Sequence, residues 1–329
     1  MYNTGPNALA RDVAVVTGAA GSIGREIAVG LAENGFDVVV ACRPGAEARC
    51  ANVTSSLWSM RRRAAGRRFY IEPIDFSACL SVGAFVQRVS ARYGARLVAI
   101  VQAAAVVPPK SGERILTGDG MEATFQINVL GVYALMVGFQ SALERSVSVV
   151  NVASTFAGGM ETTDLQLTSR VFNPATAYSQ SKAAVQALTW DAAERYNGSG
   201  FVYNAVHPGV THSQMNPGKS VDRARESAAR SVQLARSAVS EGLQGTWWEM
   251  VAGEHRSERR PRRFDDPTLR RAAWAYCERQ WDSHGCPVLG RAARGRHDQL
   301  SNVRLSTPVH VHTASLHSST LSRGAAKQL

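Results

Sequence analysis

The glycine-rich stretch VVTGAAGSIG (15–24) constrains the fold of this chain more than any other feature. It follows an apolar run at 12–16 that is typical of a short strand, and it precedes apolar residues at helical spacing that continue to Gly35. A strand that leads through a glycine loop into a helix is the context of a phosphate-binding βαβ unit, because the first amides of the helix face the anion. We therefore predict a pyrophosphate site at Gly18, Gly21, Ser22, Ile23 and Gly24.

Apolar runs and helical patterns alternate along the chain to about residue 215, and the runs are apolar on both faces. Such strands are typical of a parallel sheet that helices cover on both sides. The pattern predicts an α/β fold with a Rossmann-like, doubly wound parallel sheet in three layers, α/β/α. We expect six strands, at 12–16, 37–43, 68–76, 96–107, 146–154 and 200–209.

Further elements are expected outside this run of strands. The sequence predicts a helix at 51–66, a last strand within 242–251 and a last helix at 266–281. We expect a single domain over 10–281. The segment 282–329 is rich in Ser, Arg, His and Gly with little periodicity, and we expect it to be a disordered tail.

The charge and the cysteines bear on partners and location. The chain has 329 residues and a formal net charge of +11, with basic clusters at 61–68 and 255–263. No zinc-finger spacing or RNA-recognition motif accompanies these clusters, so we expect solvated basic faces and no nucleic-acid partner. The five cysteines form no C-x-x-C pair. We expect a cytoplasmic protein without a secretory signal or a membrane span.

The strongest chemical signal is AYSQSK (177–182). Tyr178 and Lys182 are four residues apart on a predicted helix and therefore share one face. A free tyrosine has a pKa of about 10, and a neighbouring ammonium favours the phenolate and lowers that pKa. Ser154 stands at the end of the fifth predicted strand, where the sites of open α/β sheets gather. The three side chains together predict acid–base chemistry.

The end of the second strand bears on the choice of nucleotide. An acid at this position hydrogen-bonds a ribose 2′-hydroxyl, whereas an arginine accommodates a 2′-phosphate. The chain reads VACRPG (40–45), with no acid and with Arg43 in place. This favours NADP(H) over NAD(H).

The chain resembles the short-chain dehydrogenase/reductase family over about residues 10–281. The motifs that carry the resemblance are TGAAGSIG (17–24), ID (74–75), FQINVLG (125–131), VVNVAS (149–154), YSQSK (178–182) and NAVHPG (204–209). The resemblance implies an NAD(P)-dependent oxidoreductase with a small-molecule substrate, no metal site, and a homodimer or homotetramer.

The resemblance also implies a catalytic tetrad of Asn128, Ser154, Tyr178 and Lys182. Ser154 would donate a hydrogen bond to the substrate oxygen, and Tyr178 would supply the proton to it. Lys182 would hold the nicotinamide ribose and lower the pKa of Tyr178, and Asn128 would position a water that relays protons to Lys182. The implied cofactor contacts are Asp75 and Phe76 at the adenine end, Gln102, Ala103, Tyr178 and Lys182, and Pro208, Gly209 and Thr211 beside the nicotinamide.

Two branches of the family compete for this sequence. The spacing of Gly18, Gly21 and Gly24 and the segment QAAA (102–105) resemble the extended branch of epimerases and dehydratases, which would hold NAD tightly. NAVHPG and ACR (41–43) resemble the single-domain, retinol-dehydrogenase-like branch, which we favour. We expect a carbonyl reductase or alcohol dehydrogenase acting on a lipophilic or secondary-metabolite substrate, with 155–177 and 210–235 as a lid. A non-catalytic binding protein on the same fold is the remaining alternative.

Overall fold

The computed structural model describes residues 11–45, 67–209, 224–251, 254–258 and 266–283. Its strands are β1 Val13–Thr17, β2 Asp37–Cys42, β3 Phe69–Pro73, β4 Leu97–Gln102, β5 Val147–Val152, β6 Phe201–His207, β7 Trp247–Val251 and β8 Glu254–Glu258. They form one sheet in the order β3-β2-β1-β4-β5-β6-β7-β8. The first seven are parallel, and β8 pairs antiparallel with β7.

Helices cover both faces of this sheet. They are α1 Ser22–Glu33, α2 Cys79–Tyr93, α3 Ala123–Ala142, α4 Pro174–Arg195, α5 Ala224–Glu241 and α6 Pro267–Ser283. α1 and α5 pack together on one face. α2, α3 and α4 cover the other face, and α6 packs against α4 and α3. The predicted doubly wound, three-layer Rossmann-like fold is confirmed.

The strands are apolar on both faces because each face contributes to a separate core. In β1, Val13 and Val15 point into the core under α2, α3 and α4, whereas Ala14 and Val16 point into the core under α1 and α5. All four side chains are fully buried. The alternation follows from the period of two in a strand, and it explains why no polar residue interrupts the run.

α3 is the one described helix that is long and apolar enough to cross a membrane. In its most apolar window, 83% of the residues are buried inside the fold, because α2, α4 and α6 surround it. The residues Gln126–Leu130 within α3 have π-helical hydrogen bonding. Such local widening of a helix is frequent at functional sites, and Asn128 lies in its middle.

Two features differ from the sequence-based expectation. The antiparallel edge strand β8 has the sequence EHRSE, which carries no apolar run and therefore gave no strand signal. Charged residues are nevertheless common on edge strands, since they discourage pairing with other chains. The sequence DGMEATFQINVLGVYALMVGFQSALER (119–145) predicts a long helix from Asp119. α3 begins instead at Ala123, because the Glu122 carboxylate accepts the amides of Thr124 and Phe125 and caps the helix.

Several predictions concern parts of the chain outside the described residues. These are the helix at 51–66, the contact at Thr211, most of the basic cluster at 61–68, the side chains of the cluster at 255–263, and the tail beyond Ser283. The domain limits of 10 and 281 likewise stay a prediction.

Candidate active site

The glycine loop between β1 and α1 is built by close backbone contacts. Gly18 has a φ of +70°, and a β-carbon there would lie 2.7 Å from the backbone nitrogen of Ala104. A β-carbon on Gly24 would clash with the carbonyl oxygen of Gly18. The Gly21 amide donates to that same oxygen at 2.9 Å. Glycine is therefore required at Gly18 by conformation and at both Gly18 and Gly24 by space.

The start of α1 fits an anion. Gly21 is the N-cap residue and has no side chain to occupy the first amides of the helix. Ser22 and Ile23 open the helix, and Ile23 is partly buried against the core under α1. Free amides together with the positive end of the helix dipole favour a phosphate group here.

The QAAA segment at the end of β4 is tied to this loop by Thr17. The Thr17 hydroxyl oxygen accepts the amides of Ala103 and Ala104, each at 3.1 Å. The ends of β1 and β4 are thus joined even though Ala103 has no amide side chain that could join them. Gln102 is buried, its Nε2 donates to the Val132 carbonyl oxygen at 3.4 Å, and its Oε1 has no partner among the described residues.

The loops that follow β2 and β3 lie at the same edge of the sheet as the glycine loop. Asp75 accepts the amide of Ser77 at 2.9 Å and its hydroxyl at 2.6 Å, both on Oδ1. The ring of Phe76 fills the space left by Gly131, where a β-carbon would clash with it. Arg43 follows the last residue of β2, and its side chain is exposed. The predicted adenine-side residues therefore all lie at the carboxyl ends of β2 and β3.

The proposed catalytic side chains come from the end of β5 and the second and third turns of α4. The Ser154 Oγ accepts the amide of Phe156 at 3.0 Å, and Ser154 also hydrogen-bonds the Tyr178 hydroxyl. The Lys182 Nζ donates to the Val152 carbonyl oxygen at 3.0 Å and lies 5.9 Å from the centre of the Tyr178 ring. The structure thus brings together the serine, tyrosine and lysine that the sequence singled out.

The electrostatics of this group differ from the expectation. Burial raises the pKa of the Tyr178 phenol, and the hydrogen bond from Ser154 opposes this rise without cancelling it. Burial also lowers the pKa of the Lys182 ammonium to about 8. The prediction of a lowered Tyr178 pKa is therefore wrong for this structure, because the loss of hydration outweighs the favourable contacts. At neutral pH Tyr178 is a proton donor.

Asn128 reaches the site through its side chain. Its Oδ1 accepts the amide of Val106 at 2.8 Å, and its Nδ2 donates to the Val106 carbonyl oxygen at 2.9 Å and to the Ser181 Oγ at 3.2 Å. Ser181 in turn donates to the Tyr178 carbonyl oxygen at 2.7 Å. Asn128 therefore links the segment after β4 to the catalytic helix. Its predicted role in placing a water stays a prediction.

The end of β6 closes the site from the other side. Pro208 is buried, and Gly209 has a φ of +85°. His207 contacts Thr155 through both ring nitrogens, with its Nδ1 accepting the Thr155 amide at 3.3 Å. The sequence reasoning did not single out His207 or Thr155. The signal that would have found them is the position of His207 inside NAVHPG (204–209) and of Thr155 directly after VVNVAS (149–154).

The predicted lid is wrong for residues 224–235, and its residues 210–223 lie outside the described residues. Residues 224–235 belong to α5, which packs on α1 across the sheet from α4 and so does not border the catalytic side chains. The amphipathic pattern of that segment reflects burial of Ala228, Val232 and Leu234 in the core rather than a mobile loop. Of the other predicted lid segment, 155–177, residues 155–173 follow β5 at the site and residues 174–177 form the first turn of α4.

Comparison with known proteins identifies the class. The family model for short chain dehydrogenase matches residues 12–224, and the chain belongs to this family of oxidoreductases. Retinol dehydrogenase 12 of Homo sapiens is 30% identical over 294 residues, with 84% of this chain and 86% of that protein covered. Retinol dehydrogenase 13 of Mus musculus is 28% identical over 300 residues, with 84% and 87% covered. The chain therefore lies in the retinol-dehydrogenase-like branch.

Solved structures agree with this fold. A short chain dehydrogenase from Burkholderia cenocepacia J2315, in complex with NADP, is 26% identical with a TM-score of 0.58, covering 75% of this chain and 99% of that one. An uncharacterized protein from Mycobacterium Paratuberculosis is 26% identical with a TM-score of 0.63, covering 83% and 94%. The glycine spacing that resembled the extended branch is thus a departure within the retinol-dehydrogenase-like branch.

Proposed function

We propose that this chain is an NADP(H)-dependent oxidoreductase that interconverts a carbonyl group and an alcohol on a small, lipophilic substrate. The observation that carries the proposal is the convergence of Ser154, Tyr178 and Lys182 at the carboxyl end of β5. The Lys182 Nζ lies 3.0 Å from the Val152 carbonyl oxygen of β5 and 5.9 Å from the centre of the Tyr178 ring. Sites of open α/β sheets lie at this edge.

The residues present fit a dinucleotide. Gly18, Gly21 and Gly24 leave the start of α1 open to a pyrophosphate, and the carboxylate of Asp75 is available at the adenine end. Arg43 is exposed at the end of β2, where no acid competes for a ribose 2′-phosphate. NADPH, when bound, supplies the hydride. The bound NADP of the Burkholderia cenocepacia relative supports this choice of cofactor.

The side chains favour the reducing direction at neutral pH. Because the Ser154 Oγ accepts the Phe156 amide, its own hydrogen is free to point toward the Tyr178 oxygen or a substrate oxygen. Ser154 would stabilise the negative charge that develops on the carbonyl oxygen. Tyr178, whose pKa burial raises, would donate the proton to that oxygen. Oxidation of the alcohol requires the phenolate, which forms only at higher pH.

The apolar surface near the site supports a lipophilic substrate. Of the seven large hydrophobic side chains exposed among the described residues, five lie in the two segments that follow β4 and β5. These segments touch, since the Arg114 Nε donates to the Gln166 carbonyl oxygen at 3.2 Å. The five are Val107, Ile115, Leu116, Phe156 and Val171. Exposed apolar side chains on neighbouring segments are typical of a binding surface.

The proposal is tested by replacing Tyr178 with phenylalanine. A panel of ketones, aldehydes and alcohols is assayed with NADPH/NADP⁺ and NADH/NAD⁺ to find a substrate of the unmodified enzyme. We expect Tyr178→Phe to abolish turnover of that substrate and to leave NADPH binding intact. Tyr196→Phe is the matched control, because the Tyr196 hydroxyl is at the far end of α4 and has no hydrogen-bond partner among the described residues. Turnover that survives in Tyr178→Phe would refute the mechanism.

The oligomeric state and the location stay proposals. We propose a homodimer or homotetramer, as the family resemblance suggests, and a cytoplasmic location, as the lack of a C-x-x-C pair in the sequence suggests. Among the described residues, α6 already covers α4 and part of α3 within one chain, through buried Trp274 and Trp281. Light scattering of the purified full chain measures the oligomeric state directly.

A further inference from the structure

Residues 153–173, here called the β5–α4 loop, connect β5 to the catalytic helix α4. The loop lies along the start of α4 and contacts three consecutive residues of it, Tyr178, Ser179 and Gln180. The ring of Phe156 stacks on the ring of Tyr178, with centroids 6.3 Å apart and an angle of 24°. The Ser179 Oγ donates to the Gly158 carbonyl oxygen at 3.1 Å, and the Gly158 amide donates back to the Ser179 carbonyl oxygen at 3.4 Å. The loop is therefore attached to α4 directly beside the tyrosine.

Gln180, the next residue of α4, holds the loop at three more points. Its Oε1 accepts the Glu161 amide at 2.9 Å and the Arg170 guanidinium at 3.2 Å. Its Nε2 donates to the Asp164 carbonyl oxygen at 3.0 Å. The side chain is fully buried, so these bonds form without competition from water. The middle of the YSQSK motif thus binds the loop, while its two ends carry the proposed chemistry.

Asp164 organises the loop from within. Its Oδ1 accepts the amide and the hydroxyl of Thr168 at 2.6 and 2.8 Å. Its Oδ2 accepts the Ser169 hydroxyl at 2.7 Å and the Arg170 Nε at 3.2 Å. Burial acts to raise the pKa of this carboxyl, but the hydrogen bonds outweigh burial and lower the pKa to about 2. The carboxylate and its bonds persist throughout the pH range in which an enzyme would be assayed.

We propose that Gln180 and Asp164 are positioning residues that clamp the β5–α4 loop onto α4 and thereby fix the Phe156 ring against Tyr178. This inference rests on the proposed function, since it assigns the loop a part in placing the carbonyl substrate. The Phe156 ring is 58% exposed although it touches the proton donor. It therefore offers a flat apolar wall on which a substrate would rest while its oxygen reaches Tyr178. A displacement of about 1 Å at such a wall is sufficient to cost a large factor in rate.

The experiment is a double-mutant cycle between the clamp and the wall. Gln180→Ala is made alone and in a Phe156→Ala background, and kcat/KM for the carbonyl substrate is measured beside the Kd for NADPH. We expect Gln180→Ala to lower kcat/KM by about tenfold or more, with less than about a twofold change in the Kd for NADPH. In the Phe156→Ala background the same substitution should cost less than about twofold, because the ring that it displaces is gone.

A second readout does not depend on turnover. Hydrogen exchange of the β5–α4 loop amides should accelerate in Gln180→Ala and in Asp164→Asn, with no change in Thr163→Ala. Thr163 is exposed in the same loop and bonds only the half-buried Glu161 carboxylate among the described residues. Asp164→Asn keeps the size of the side chain and serves as the second variant if Gln180→Ala does not fold, which thermal unfolding reports.

The outcomes separate the clamp from the proposed function. An equal loss of kcat/KM with and without Phe156, or unchanged exchange in both clamp variants, would overturn the clamp while the reductase activity stands. If the unmodified enzyme turned over no carbonyl substrate while exchange still accelerated in the clamp variants, the proposed function and the role in substrate placement would both fall. The loop attachment alone would then be supported.

Discussion

Replacement of Lys182 by methionine is expected to stabilise the fold while it abolishes turnover. Lys182 is only 4% exposed, and burial lowers the pKa of its ammonium from the ordinary 10.5 to about 8. The difference is about 2.5 pH units, and at about 1.4 kcal/mol per unit the charged lysine costs the folded state about 3 kcal/mol. Methionine leaves the Val152 carbonyl oxygen without its donor, which costs about 1 kcal/mol. The net gain at pH 7 is then about 2 kcal/mol.

The pH dependence of this gain identifies its cause. Because the folded pKa lies below the unfolded value, the unfolded chain binds more protons between pH 8 and 10.5, and the wild type gains stability as the pH rises through this window. Methionine does not titrate. The advantage of the variant should therefore shrink by about 2 kcal/mol between pH 7 and pH 9.5.

Urea unfolding of the wild type and of Lys182→Met is followed by circular dichroism at pH 7, 8.5 and 9.5. The difference between their free energies of unfolding is the quantity of interest, because the contributions of the other titrating groups cancel in it. Lys110→Met is the matched control, since Lys110 is exposed. A difference in the free energy of unfolding that stays constant with pH would refute the reasoning, because the cost would then not come from the buried charge.

Four further outcomes are expected. Arg43→Ala should raise the KM for NADPH about tenfold and leave the KM for NADH within about twofold, with exposed Arg271→Ala as the control; an unchanged ratio of the two KM values would contradict the choice of NADPH. Gly24→Ala introduces a clash with loop backbone, and fluorescence titration should detect no NADPH binding; binding like that of the wild type would show that the loop adapts. Thr17→Val removes the acceptor of two amides and should lower the free energy of unfolding by about 1–3 kcal/mol in chemical denaturation, and no measurable loss would argue against the tie. Since burial raises the pKa of Tyr178, carbonyl reduction should be active at neutral pH, whereas alcohol oxidation should keep rising up to pH 10 in buffered assays; equal profiles for both directions would contradict this acid–base assignment.

Much of the fold was predictable because it depends on local periodicity. The run before the glycine loop is apolar from Val13 to Val16, and the structure buries both faces of β1 as that pattern predicts. The four-residue spacing of Tyr178 and Lys182 likewise places both on one side of α4. The edge strand β8 was missed, since a strand at the border of a sheet is held by backbone pairing with β7 rather than by a pattern of apolar side chains.

The errors concern properties that arise only from packing. α5 has an amphipathic pattern that indicates a helix, but the pattern does not say which face of the sheet it covers, and it covers the one away from the catalytic residues. The pKa of Tyr178 was expected to fall because a lysine is close in sequence. It rises because the surrounding loop and strands remove water from the phenol.

The sequence by itself determined the parallel sheet, the glycine loop and the serine, tyrosine and lysine of the site, since each depends on residues adjacent in the chain or one helical turn apart. Only the tertiary structure decided which hydrogen bonds hold these parts together and how the pKa values of Tyr178 and Lys182 shift. Thr17 ties the loop to Ala103 across 86 residues of chain, and Gln180 holds a loop through Asp164, 16 residues away. Contacts at such separations, and the burial that sets the pKa of Tyr178 and Lys182, exist only once the elements have packed and excluded water.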